Sequence, residues 1–182
     1  MKDRYGREID YLRISITDRC NLRCVYCMPK DGIHQISHKE ILTYDEIKRV
    51  CQCVTTLGIH KIKLTGGEPL TRKNCSELVA MVKALPGIEK VTLTTNGVLL
   101  KDQLKDLAEA GIDNINISLD TLNKTEFHRI TRREELSSVL ESIEEALKYP
   151  QIGLKINCVP VIEDPENLVS IAGLAKTHPI HV

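Results

Sequence analysis

Cys20, Cys24 and Cys27 fall within one short stretch at a C-x3-C-x2-C spacing, with Pro29 two residues beyond the last of them. Cysteine thiolates are soft ligands, suited to iron–sulfur clusters or to zinc. At this spacing three thiolates can hold three irons of a [4Fe–4S] cluster and leave the fourth iron without a protein ligand. An open iron is what a cluster needs to bind and react with a small molecule rather than only pass electrons. Structural zinc normally takes four protein ligands. The other cysteines read as non-ligands: Cys51 and Cys53 stand two apart on a helical segment and cannot share a face, Cys75 falls at a helix start, and Cys158 alternates within a strand.

A second group lies downstream at Thr65-Gly66-Gly67-Glu68-Pro69. Paired glycines open backbone conformations closed to other residues and let a ligand come close. Glu68 can stay charged there if it receives an amino group, with Pro69 stiffening the turn. Lys61 and Lys63 share one face of a strand, because strand side chains alternate. Arg13 and Lys155 form a further basic pair on other strands. If the strands close into a barrel, Arg13, Lys63 and Lys155 point into one polar cavity, a seat for an anionic, phosphate-bearing substrate. The competing reading is of solvated lysines at strand ends. His34, His38, His60, His128, His178 and His181 are scattered without metal-binding spacing and read as surface or packing residues. Neither a P-loop nor a G-x-S-x-G elbow is present, and Arg132-Arg133-Glu134-Glu135 reads as the solvated beginning of a helix.

The elements that must position these groups alternate short β-branched runs with segments of helical period. Strands are expected over residues 11–17, 61–65, 91–95, 114–119 and 153–159, with a sixth starting at 179–182. Thr43 and Glu46 are placed as a capping box for a helix carrying Ile47, Val50, Val54 and Leu57 and ended by Gly58. Further helices are expected over residues 75–85, 103–110, 136–149 and 167–176, and Asn96-Gly97 fits a strand-to-helix loop. Repeated units of this kind imply an α/β fold with a parallel sheet and right-handed crossovers. Pattern alone leaves open whether the sheet is doubly wound or an incomplete (β/α) barrel. In both, the loops leaving the C-terminal strand ends form the working face, and residues 20–27, 66–69, 95–96, 118–120 and 157–160 all fall there.

Composition narrows the partners. Lys plus Arg and Asp plus Glu both total 25, so no charge excess points to nucleic acid. With no Trp and one Phe, the chain is poorly equipped to stack bases. It lacks an apolar run of membrane-spanning length and a secretory h-region, and seven cysteines without such a signal suggest metal or free thiols in a reducing compartment. The expectation is a cytoplasmic protein with no membrane association. Its 182 residues suffice for one sizeable core.

Together the three-cysteine loop and the Gly-Gly-Glu-Pro turn resemble the radical S-adenosylmethionine (SAM) enzymes. Within them, residues 12–29 are similar to the opening of the GTP 3',8-cyclase family, which starts molybdopterin synthesis. The resemblance continues through Leu64 to Leu70, Thr94-Thr95-Asn96-Gly97, Ile117-Ser118-Leu119-Asp120 and Lys155-Ile156-Asn157. It implies a parallel partial (β/α) barrel of the radical SAM type, truncated at about the sixth strand, with residues 1–182 as one incomplete domain. It also implies cluster ligation by Cys20, Cys24 and Cys27, and SAM contacts at Tyr26, Gly67, Glu68, Ser118 and Asn157. The implied GTP contacts are Arg13, Lys61, Lys63, Thr94 and Lys155. Arginine is common in the family at the position of Lys63; lysine keeps the charge but loses the bidentate fork. The implied chemistry is reductive cleavage of SAM to a 5'-deoxyadenosyl radical, which takes the 3'-hydrogen of GTP before closure onto C8. The implied partners are an electron donor such as flavodoxin or ferredoxin, the pyranopterin-forming enzyme that acts next, and a second copy in a homodimer. Family chains are longer and carry a C-terminal second [4Fe–4S] cluster, so this chain is expected to be an N-terminal part, incomplete for cyclisation. The alternatives are another radical SAM enzyme and a non-catalytic metal-binding fragment.

Overall fold

A computed structural model describes residues 2–34, 36–37, 39–161 and 164–182; His38 lies outside them. The β-branched runs form β1 (Tyr11–Ser15), β2 (Lys61–Thr65), β3 (Lys90–Thr95), β4 (Asn114–Ser118), β5 (Gly153–Asn157) and β6 (Ile180–His181). Between them run α1 (Tyr44–Thr55), α2 (Cys75–Lys83), α3 (Leu100–Glu109), α4 (Lys124–Thr131), α5 (Leu136–Ala146) and α6 (Pro165–Thr177), with a short 3-10 turn at Pro69–Thr71.

Each strand pairs in parallel with the next, in the order β1-β2-β3-β4-β5-β6. A doubly wound sheet reverses its strand order at a switch point. Unbroken succession with right-handed crossovers instead keeps the helices on one face and curls the sheet as a barrel does. Residue burial agrees. Ile62, Leu64, Val91, Leu93, Ile115, Ile117, Leu154 and Ile156 are buried on the helix side. The alternate positions of the same strands carry Arg13, Lys63, Thr92, Thr94, Asn114, Asn116, Lys155 and Asn157. Register places Arg13 beside Lys63, Lys63 beside Thr92, and Asn116 beside both Thr94 and Lys155. The sheet therefore has an apolar outer face and a polar concave one. Gly153 serves the concave face: a Cβ there would stand 1.9 Å from the Asn114 side-chain nitrogen.

Local signals explain most helix starts. The capping box at α1 is present, with the Thr43 side chain accepting from Glu46 N–H and the Glu46 carboxylate accepting from Thr43 N–H at 2.7 Å. Asp164 caps α6 and Pro165 occupies its first turn. On α3, Leu100, Leu104 and Leu107 recur on one buried stripe; on α5, Leu136, Val139, Ile143 and Ala146 do the same. Cys51 is fully buried while Cys53 is exposed, as two positions on opposite helix faces must be.

Two departures bear on the site. α4 was not expected, because Phe127 and Ile130 are its only large apolar residues; Asn123 starts it by accepting from the N–H groups of Thr125 and Glu126. Arg132 is consequently not part of a helix beginning but the C-cap of α4, and α5 starts at Leu136. Among the described residues, no helix is long and apolar enough to cross a membrane.

Candidate active site

The cysteine loop leaves β1 and is fastened along both sides. On one side it meets the glycine turn: Gly67 N–H donates to Thr17 O and Glu68 N–H to Arg19 O, each at 2.7 Å. A Cβ on Gly66 would lie 2.5 Å from Thr17 O, and one on Gly67 would lie 2.4 Å from Arg19 O. The two glycines are thus required by the protein's own backbone. On the other side, Arg23 N–H donates to Thr131 O and Val25 N–H to Ile130 O, joining the loop to the end of α4.

Cys20 and Cys24 are half-buried and Cys27 is exposed. Burial, then the charges of Cys20, Asp120 and Cys27, pushes the Cys24 thiol up to about 11. Burial also raises Cys20, against an opposing N–H from Leu22. In the metal-free protein the Cys20 and Cys24 thiols hold their protons at neutral pH, so binding a metal body there releases protons. Cys20 Sγ already accepts from Leu22 N–H at 3.4 Å and the Asn96 amide at 3.9 Å, the donors a bound thiolate uses. Among the described residues, no three His, Cys, Asp or Glu side chains converge on a single-ion site. Three soft thiols lining one cavity, with N–H donors beside Cys20, fit an iron–sulfur cluster.

Glu68 is 1% exposed. Its Oε1 accepts from Leu70 N–H at 3.0 Å and from the Thr95 hydroxyl at 2.8 Å, and its Oε2 accepts from Asn96 N–H at 2.6 Å. Burial raises this carboxyl above its ordinary value despite all three bonds. Glu68 therefore joins the glycine turn to the exit of β3. Asn96 continues the seam, its amide donating to Asn21 Oδ1 at 2.7 Å.

Asp120 was missed among the candidate site residues. One of its oxygens accepts from the Tyr26 hydroxyl at 2.7 Å and the other from Val159 N–H at 2.9 Å, while its carbonyl accepts from the Asn167 amide at 2.8 Å. Burial first, and then this bond to Asp120, raises the Tyr26 phenol above its ordinary value.

A cavity of about 300 Å³ opens between these groups. It gathers Arg13, Cys20, Cys24, Tyr26, Cys27, Gly67, Glu68, Thr94, Ser118 and Asn157, together with Asn96 and Asp120. Lys63 and Lys155 stand by Arg13 on the concave face, outside the cavity's lining: burial, then the charges of Arg13 and Lys155, holds Lys63 below the ordinary lysine value. Lys61 sits at the opposite end of β2, its Nζ 2.6 Å from Asp10 Oδ2. A larger cavity, about 540 Å³, lies against the start of α1 and is reached by none of the three thiols. Its Arg72 is already committed to the carbonyls of Ile16 and Leu42.

Known proteins share both the pattern and the shape. Residues 14–175 match the family model of the Radical SAM superfamily. A GTP 3',8-cyclase of Pelotomaculum thermopropionicum is 47% identical over 183 aligned residues, covering 100% of this chain and 56% of that protein. One from Clostridium perfringens is 48% identical over 99% of this chain and 56% of its own length. The chain thus spans a little over half the length of these relatives. Among solved structures, Streptococcus suis SuiB bound to S-adenosylmethionine superposes with a TM-score of 0.80 at 18% identity, over 94% of this chain and 39% of that one. Methylornithine synthase gives 0.72 at 19% identity, over 93% of this chain and 51% of that one. These structures establish the partial-barrel fold. With a thiol rim facing a polar strand-end cavity, and a sequence match from β1 into α6, the chain belongs to the Radical SAM superfamily.

Proposed function

We propose that this chain carries the SAM-binding and first-cluster part of a GTP 3',8-cyclase. One observation supports the reading above others: three thiols line a cavity at one end of the concave face, and Arg13, Lys63 and Lys155 are carried on that same face. Relatives at close to half identity along the whole chain bear that activity in their names.

Cys20, Cys24 and Cys27 would hold a [4Fe–4S] cluster through three irons. When bound, the cluster supplies one electron to cleave SAM, giving the deoxyadenosyl radical that takes the 3'-hydrogen of GTP. Tyr26, Gly67 and Ser118 flank the space beside the thiols and orient SAM, with Asn157 at its edge. Glu68 Oε2 accepts from Asn96 N–H and has a further lone pair to offer the methionyl ammonium. Arg13, Lys63 and Lys155 take the triphosphate, whose negative charge offsets the positive charges of Arg13 and Lys155 that face Lys63, and Thr94 adds a hydroxyl on the same face. Lys61 reaches substrate only by releasing Asp10. The second [4Fe–4S] cluster belongs to the portion of the relatives that this chain does not span. In the complete enzyme we place a flavodoxin or ferredoxin as reductant, a homodimeric assembly, a cytoplasmic setting and transfer of product to the pyranopterin-forming enzyme. Residues 1–182 act there as one domain.

The test pairs two readouts on the chain reconstituted with iron and sulfide. Reduction in the presence of SAM is expected to give 5'-deoxyadenosine, and Cys24→Ser to abolish it. GTP is expected to bind in equilibrium dialysis, with Lys63→Met and Lys155→Met each weakening it roughly tenfold, the worth of one charge-assisted hydrogen bond. Unchanged GTP affinity in both variants overturns the substrate assignment, and no 5'-deoxyadenosine overturns the radical one.

A further inference from the structure

Arg132 adopts the left-handed conformation, with φ 57°, at the C-cap of α4. Residues with a Cβ other than Asn and Asp seldom do so, and the strain persists only where surroundings over-determine it. Here they do. Arg132 Nη1 donates to Arg23 O at 2.9 Å and to Met28 O at 3.1 Å. These two carbonyls stand immediately before Cys24 and immediately after Cys27, so one guanidinium nitrogen pins the two ends of the segment that carries the second and third thiols.

That segment needs an external hold. Its own turn is closed by the N–H groups of Cys27 and Met28, both donating to Cys24 O, at 3.0 and 2.9 Å. Val25 and Tyr26 are each 48% exposed and Cys27 is exposed, so core packing does not fix it. The backbone bonds from Arg23 and Val25 to the end of α4 secure its first half. The bond from Arg132 to Met28 O reaches the second half, which those two do not. Arg23 repeats the device one step earlier, its Nη1 donating to Cys20 O at 2.7 Å and Leu22 O at 2.8 Å.

We propose that Arg132 is a positioning residue that staples residues 23–28 closed and so fixes the separation of the Cys24 and Cys27 thiols before any cluster is bound. The consequence for the cluster rests on the reading above; the staple itself does not.

Arg132→Gly is the discriminating variant, because glycine takes the left-handed conformation without strain and the fold is spared. The melting temperature of the iron-free chain is expected to stay level or rise. Amide exchange at Cys27 and Met28, followed by NMR, is expected to quicken at least about tenfold, while amides of β3 and β4 hold their rates. After reconstitution, a chelator is expected to strip iron about tenfold faster from Arg132→Gly, and Arg132→Lys, which keeps a charged donor, to recover part of the loss. Unchanged exchange at Cys27 and Met28 overturns the proposal. So does acceleration spread across the sheet, which marks a general structural role. If the unaltered chain takes up no iron and the variant still loosens those two amides, the staple stands and the cluster reading falls.

Discussion

At the scale of single residues, Asp120 binds the cysteine loop through Tyr26, the exit of β5 through Val159 and α6 through Asn167. It is 8% exposed, and removing its carboxylate leaves the Tyr26 hydroxyl and Val159 N–H, both part-buried, without their acceptor. Asp120→Ala is expected to lower stability to urea by about 1–3 kcal/mol, and Tyr26→Phe by about 1 kcal/mol. The double variant should lose less than the sum of the two; strict additivity would refute the coupling. Tyr26 and Asp120 lie 94 positions apart, so the bond between them is not legible in the sequence; Tyr26 came to notice through the family resemblance alone. Lys63 carries a different kind of prediction. Its folded pKa lies below the ordinary 10.5, so between the two values the unfolded chain holds more protons than the native one. The penalty is full below the lowered value and fades as pH rises to the ordinary one. Lys63→Met is therefore expected to be more stable than the parent at neutral pH, with the gap in urea midpoints closing as pH approaches 10.5. A gap that widens with pH would contradict the lowering of Lys63 by burial and by the Arg13 and Lys155 charges.

Elements were legible where their signals are local. The capping box at Thr43 and Glu46 was readable because both partners lie within one turn, and it forms as expected. Thr43→Ala is expected to cost about 1 kcal/mol by thermal or urea unfolding; a loss within error would show that α1 is held by Ile47 and Cys51 alone. α4 was not legible. Two apolar residues in eight leave no helical stripe to detect, and what holds it is the Asn123 cap, the burial of Phe127 and Ile130, and the backbone bonds from Arg23 and Val25 at its end. Missing α4 also hid the role of Arg132, which depends on its being the C-cap that follows one helix rather than the beginning of the next. The glycines at 66 and 67 were recognised as a close approach, but the close neighbour is the backbone of Thr17 and Arg19.

For the whole molecule, the choice between a doubly wound sheet and a partial barrel turned on strand order, which periodicity does not encode. Sequential order settles it, and with it the meaning of the polar positions: Arg13, Lys63 and Lys155 share the concave face that the thiol rim borders. The central claim is that the three thiols bordering that face hold a cluster with one iron open to SAM, and its most direct test is anaerobic iron and sulfide analysis of the reconstituted chain, with EPR of the reduced protein before and after SAM is added. The expected result is about four irons per chain and a spectrum altered by SAM, as an iron open to the small molecule requires. Little bound iron, or a spectrum indifferent to SAM, would contradict the account.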